Sequence, residues 1–201
     1  MDQYTRAREA ALKALGGNAA TRVTAYYRPD SDYTGHTFLT VGPNDPFRIT
    51  ATDLFAVTLL NAAVGPRATR AVLADEQLTV DLKAVPADVA LEHADDETLV
   101  LAGVFYERIK QLFVDPTARQ SEPWVAPAKL AARKRPELLP VRDALVRRYL
   151  GIEPPYSFRT DWDTYRRLML DPEIRGLLDG LPQLDPPLRL LDVVLWTKAR
   201  W

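Results

Sequence analysis

Residues 129 to 151, KLAARKRPELLPVRDALVRRYLG, gather Lys129, Arg133, Lys134, Arg135, Arg142, Arg147 and Arg148 around one aspartate, Asp143. Arginine carries a planar fork that matches phosphate in two places at once, so these seven cations are the candidate nucleic-acid-binding residues. Trp124, just ahead of the cluster, is the aromatic placed to stack on a base. Pro136 and Pro140 divide the stretch into helix, turn and helix, which puts Asp143 near the first turn of the second helix. The positive end of that helix favours an ionised carboxylate, and Asp143 is the candidate catalytic residue. Each assignment has an alternative. Asp143 could instead cap the helix and pair with Arg147 at i+4, and the cations could form a solvated face opposing acidic helices.

Other chemistry-bearing residues are sparser. His36 and His93 lie far apart with no paired carboxylate motif, so no metal site is expected, and nothing calls for a cofactor. Asp161 and Asp163 flank Trp162, either as an acid pair near a groove or, as expected here, as an N-cap for the following helix. Asp192 sits among Leu190, Leu191, Val193 and Val194, where a carboxylate needs a partner, and an arginine from another helix is the expected one. Trp162 and Trp196 read as core.

Hydrophobic residues make up 47% and charged ones 26%, which excludes a disordered chain. The net charge of -1 conceals a split. Residues 71 to 100 carry eight acids against Lys83, whereas 126 to 148 carry seven bases against Glu137 and Asp143. Such a bipolar chain either offers a basic face to DNA or pairs its two faces within the chain, across a homodimer or with a protein partner. The chain has no cysteine, which excludes disulfides and thiolate chemistry. No segment has the roughly 20 apolar residues of a membrane helix, and a cytoplasmic location is expected.

The elements that position these residues are mainly helical. A single domain over 1–201 is expected, with an N-terminal helix and β-hairpin appendage at 1–48 and a helical core at 49–201. Residues 2 to 15 form a helix stopped by Gly16-Gly17. VTAYY and HTFLTV, separated by a turn-forming run, suggest a small β-hairpin. Thr50 and Asp53 have capping-box spacing ahead of a core helix, and Pro66 opens another that reaches Ala74. DETLVLAGVFYERIKQLF has the longest helical periodicity and reads as the central helix. A polar loop to Pro123 follows, then helices at 126–134 and up to Leu150, at 163–170 and 172–178, and over PLRLLDVVLWTKARW. The balance is about eight helices.

LLPVRDALVRRYLG resembles the catalytic region of the helix-hairpin-helix DNA glycosylase superfamily through Pro140, Val141, Asp143, Val146, Arg148, Leu150 and Gly151. That resemblance spans residues 121–151 and implies a glycosylase-like helical globule. It also implies that Asp143 stabilises a cationic sugar as a base leaves. Arg142 is inserted between Val141 and the aspartate, and Leu145 stands where histidine is usual. The superfamily's lysine nucleophile falls near Val125, which implies monofunctional chemistry, and its hairpin glycines have no counterpart in SEPWVAPAK. Over most of its length the chain is also similar to an uncharacterised domain family of high-GC bacteria, through TATDLFAVTLL, KLAARKRPELLPVRDALV and LLDVVLW.

Three readings follow. The leading one is an uncharacterised helical domain that binds nucleic acid through the Lys129 to Arg148 face without base excision. The second is a structural or protein-interaction domain that binds no nucleic acid. The third is a monofunctional DNA glycosylase using Asp143, which requires that residue in a pocket with room for a flipped base.

Overall fold

The structure, a computed structural model, describes residues 2–115, 123–152 and 157–200. Among them are α1 (Gln3–Leu15), α2 (Ala19–Tyr27), α3 (Ala51–Thr58), α4 (Pro66–Ala74), α5 (Glu76–Ala84), α6 (Asp96–Phe113), α7 (Val125–Lys134), α8 (Ala144–Tyr149), α9 (Phe158–Leu170), α10 (Pro172–Asp179) and α11 (Pro187–Ala199). Short 3-10 turns cover Thr34–Thr37 and Leu91–His93. The polar loop expected before Pro123 lies largely outside the described residues, as do the first two residues of SEPWVAPAK.

Aspartates set many of the helix boundaries, because a carboxylate satisfies the N–H groups a helix start leaves open. Asp2 accepts the Thr5 N–H and Asp95 the Thr98 N–H, each at 2.8 Å. Asp53 reaches back to the Thr50 N–H at 2.8 Å, as the capping-box spacing predicts. Two aspartates each divide a helical run. Asp75 ends α4 and caps α5, and Asp171 ends α9 and caps α10. Breaks between 163–170 and 172–178 and after Ala74 are expected from the sequence, and the helix not expected is α2.

The expected β-hairpin is replaced by α2 and a loop, and no strand occurs among the described residues. Ala19, Val23 and Tyr26 recur at helical spacing and are buried together. Packing of that face against α11 overrides the strand preference of Val, Thr and Tyr. The N-cap expected from Asp161 or Asp163 also shifts. Ser157 caps α9 and accepts the Arg159 N–H at 3.2 Å, which leaves Asp161 buried in the first turn.

Buried apolar residues from Ala7 to Leu195 form one large cluster, with α6 packed on α4, α5 and α7, and α11 packed on α1, α2 and α8. α7 and α11 are buried on almost every side. Residues Ala126 to Lys134 of α7 are all buried, including Lys129, Arg133 and Lys134. A helix enclosed this way is normally apolar all round. Cations in it must find partners inside the protein, because an unpaired buried charge costs several kcal/mol.

Asp161 shows the consequence most simply. It is fully buried, accepts a hydrogen bond from Arg142 Nε at 2.6 Å and forms an ion pair with Arg147, whose Nε lies 3.1 Å away. Asp161→Ala is expected to destabilise the fold by about 3–5 kcal/mol, since it leaves buried guanidinium charge uncompensated. Asp163→Ala, at an exposed position two residues away, is expected to change stability by less than about 0.5 kcal/mol. Urea unfolding of both variants checks the pair, and equal midpoints would contradict the assignment.

Candidate functional site

The basic stretch is turned inward. Lys129, Arg133, Lys134, Arg135, Arg142 and Arg147 are all buried, and of the seven cations only Arg148 is exposed. The open phosphate-binding face expected from these residues is therefore not what the fold presents. The physical reason lies in their partners. Arg133 donates Nε to Asp53 at 2.8 Å and its other nitrogens to the Phe38 and Val41 carbonyls. Lys134 shares Asp53 at 3.2 Å and donates to Asn44 at 2.8 Å.

Among the described residues Arg135 has no carboxylate partner, and it holds the carbonyls of Leu82, Val85, Pro46 and Lys134 at 2.6 to 3.1 Å. Burial pushes its guanidinium down to about 10. Arg142 and Arg147 converge on Asp161, and their guanidinium groups lie 5.1 and 5.0 Å from the centre of the Trp124 ring. That ring, expected to stack on a base, stacks on arginines of its own chain. Among the described residues no acidic side chain of the 71 to 100 stretch pairs with these cations, although its Leu82 and Val85 carbonyls hold Arg135. Asp75 and Asp81 pair with Arg108 instead.

Asp143 behaves differently from its basic neighbours. It does cap α8, its Oδ1 accepting the Leu145 N–H at 2.8 Å. Its ion pair is not the expected one with Arg147. Oδ2 lies 3.6 Å from Lys129 Nζ, and the carboxylate side chain retains 21% of its exposure. Lys129 donates to the Leu60 carbonyl at 2.6 Å, and burial lowers its ammonium while Asp143 and Asp192 oppose that shift. Val125 lies one helical turn before Lys129 on α7.

Both groups line a cavity of about 390 Å³, within the range of small-molecule sites. α7 contributes Val125 and Lys129, the turn and start of α8 contribute Val141, Asp143 and Ala144, and α11 contributes Arg189, Asp192, Val193 and Trp196. Tyr26, Tyr33 and Gly35 close it from the N-terminal segment. Tyr33 stacks on Tyr26 with ring centres 5.3 Å apart and meets Trp196 edge-on at 5.8 Å. Sequence reasoning missed this wall because α2 and its loop read as a hairpin, while Trp196 read as core.

Asp192 has its arginine, but on the same helix. Arg189 NH1 bonds Oδ2 from one turn earlier, and its NH2 donates to Tyr26 Oη at 2.8 Å. Burial pushes the Asp192 carboxyl up to about 6, opposed by Arg189 and Lys129 and reinforced by Asp143. Gly35 is fixed by closeness, since a Cβ there would lie 2.2 Å from Tyr26 Oη and 2.7 Å from Leu60 Cδ2.

The raised Asp192 carboxyl implies a pH dependence. A carboxyl whose folded value stands at about 6 rather than the ordinary 3.8 favours its protonated form in the fold. Its contribution to stability therefore improves as pH falls through that window. Relative to Asp192→Asn, the unsubstituted protein is expected to gain stability on the order of 3 kcal/mol between about pH 7 and pH 4. Urea titrations at several pH values check this, and a difference that is flat or widens toward alkaline pH would contradict it.

Among the described residues no group of three or more histidine, cysteine or acidic side chains could hold a metal ion, and no helix is long and apolar enough to cross a membrane. Comparison with curated proteins and with solved structures finds no match. A family model described as a family of unknown function, DUF6308, matches residues 19–199. The matched span begins at α2 and ends with α11, so it contains the elements that enclose the Asp143 cavity. The chain belongs to this family of unknown function.

Proposed function

We propose that this protein binds a nucleobase in the Asp143 cavity, and that the cations of α7 and α8 build the cavity instead of gripping phosphates. The observation that carries this reading is the position of Asp143. It is the one aspartate of the basic stretch, it keeps part of its surface, and it faces a cavity beside a buried amine. Tyr33 and Trp196 supply aromatic surface for a planar ligand, and the carboxylate meets N–H donors or positive charge developing on a ligand. A base still attached to its sugar would place that charge beside Asp143, which is the role the glycosylase resemblance implies. The base could arrive free or on a single strand, and the chemistry recognised is the same.

A second reading, a structural or interaction domain, is favoured by the ion pairs that occupy the buried cations. It leaves the cavity without a ligand.

Calorimetric titration with nucleosides and with a short single-stranded oligonucleotide separates the readings. Saturable nucleoside binding is expected. It should weaken about tenfold or more in Asp143→Asn, a change that keeps the helix cap while removing the charge. Because the ligand is uncharged, affinity should vary little with salt, whereas strand binding through phosphates would fall steeply. Binding of the oligonucleotide alone would point to recognition on a strand. Absence of any binding, or equal affinity in Asp143→Asn, would sink the proposal and favour the structural reading.

A further inference from the structure

The inner wall of the cavity holds an acceptor with no partner. Asp192 is 2% exposed, yet only Oδ2 is engaged, by Arg189; Oδ1 is buried and makes no hydrogen bond. Nearly all buried polar atoms in folded proteins are paired, and an unpaired carboxylate oxygen is more costly than a neutral one. The neighbours on α11 cannot relieve it, since Leu191 and Val193 are apolar. The residue lines the same cavity as Asp143 and Lys129, and both carry enough charge there to influence it.

Arg189 fixes the Asp192 side chain. One of its nitrogens bonds Asp192 and another bonds Tyr26 Oη and approaches the Gly35 carbonyl at 3.4 Å. The carboxylate is therefore held by α11, by α2 and by the loop that carries Gly35. A group anchored on that many elements cannot swing away to find solvent. Its remaining oxygen is a preorganised acceptor, and an ionised carboxylate accepts without donating.

We infer that Asp192 determines specificity in this cavity, its Oδ1 accepting an N–H from the ligand, so that the site selects bases bearing an exocyclic amine over the same rings without one. The inference rests on the nucleobase reading above and deepens it by naming the edge that is read. A ligand with a carbonyl in that place would set two acceptors against each other, and one with only hydrogen would leave Oδ1 unpaired. Discrimination of this kind is larger than that available from shape alone.

Matched pairs test the inference without altering the protein. Guanosine and inosine differ by the 2-amino group, and adenosine and purine riboside by the 6-amino group. In calorimetric titrations the amine-bearing member of at least one pair is expected to bind tenfold or more tightly, about 1.4 kcal/mol. In Asp192→Asn, whose side-chain amide can turn a donor toward the ligand, that preference should shrink to less than about threefold. If all four nucleosides bind with equal affinity, the Asp192 inference is overturned while nucleobase binding stands. If none binds, both fall. Retention of the preference in a folded Asp192→Asn protein would also overturn it.

Discussion

Six cationic side chains drawn from one helix-turn-helix unit lie inside this protein, and everything around them is arranged to make that tolerable. Taking a guanidinium or ammonium out of water is so costly that each must meet carboxylates, carbonyls or an aromatic face. Asp53 answers Arg133 and Lys134, Asp161 answers Arg142 and Arg147, and backbone carbonyls answer Arg135. These partners come from α3, from α9, from the end of α5 and from the loop that follows the 3-10 turn at Thr34–Thr37. Placing the cations correctly therefore ties together segments far apart in the chain. Such pairs add little over an apolar core of the same shape, but they allow few alternative arrangements once formed.

The same constraint shapes the cavity. With Arg133, Lys134 and Arg135 committed at the C-terminal end of α7, Lys129 is left nearer its other end, where it meets Asp143 and the Leu60 carbonyl. Arg142 and Arg147 are drawn toward Asp161, so Asp143 between them in sequence is free of both and points elsewhere. The result is a carboxylate and an amine facing a space bounded by aromatic rings. α11, enclosed on nearly every side, supplies the far wall, with Arg189 and Asp192 neutralising one another in its interior.

Much of the helical architecture was legible from periodicity and capping. α6, α7, α10 and α11 fall close to where apolar spacing and proline place them, and Thr50 with Asp53 marks the start of α3. The second role of Asp53, as the buried counter-ion of α7, could not be read, because nothing local links residues 80 positions apart. α2 was misread since Val, Thr and Tyr favour strands in isolation, while its burial against α11 depends on tertiary contact. The inward orientation of α7 was hidden for a related reason. A helix rich in lysine and arginine looks like a surface element, and only the completed fold shows that its charges are answered from within. Asp192 was legible as an anomaly, a carboxylate in an apolar run. Its partner and its unoccupied oxygen were not.

The basic residues act as internal struts, and that role is measurable. A double-mutant cycle on Asp53 and Arg133, each changed to alanine singly and together, measures it most directly by urea unfolding. The expected result is strong non-additivity, with a coupling of about 2 kcal/mol or more, because removing the second partner relieves the charge stranded by loss of the first. Additive effects, or single substitutions that cost less than about 0.5 kcal/mol, would contradict it and return Arg133 to the surface.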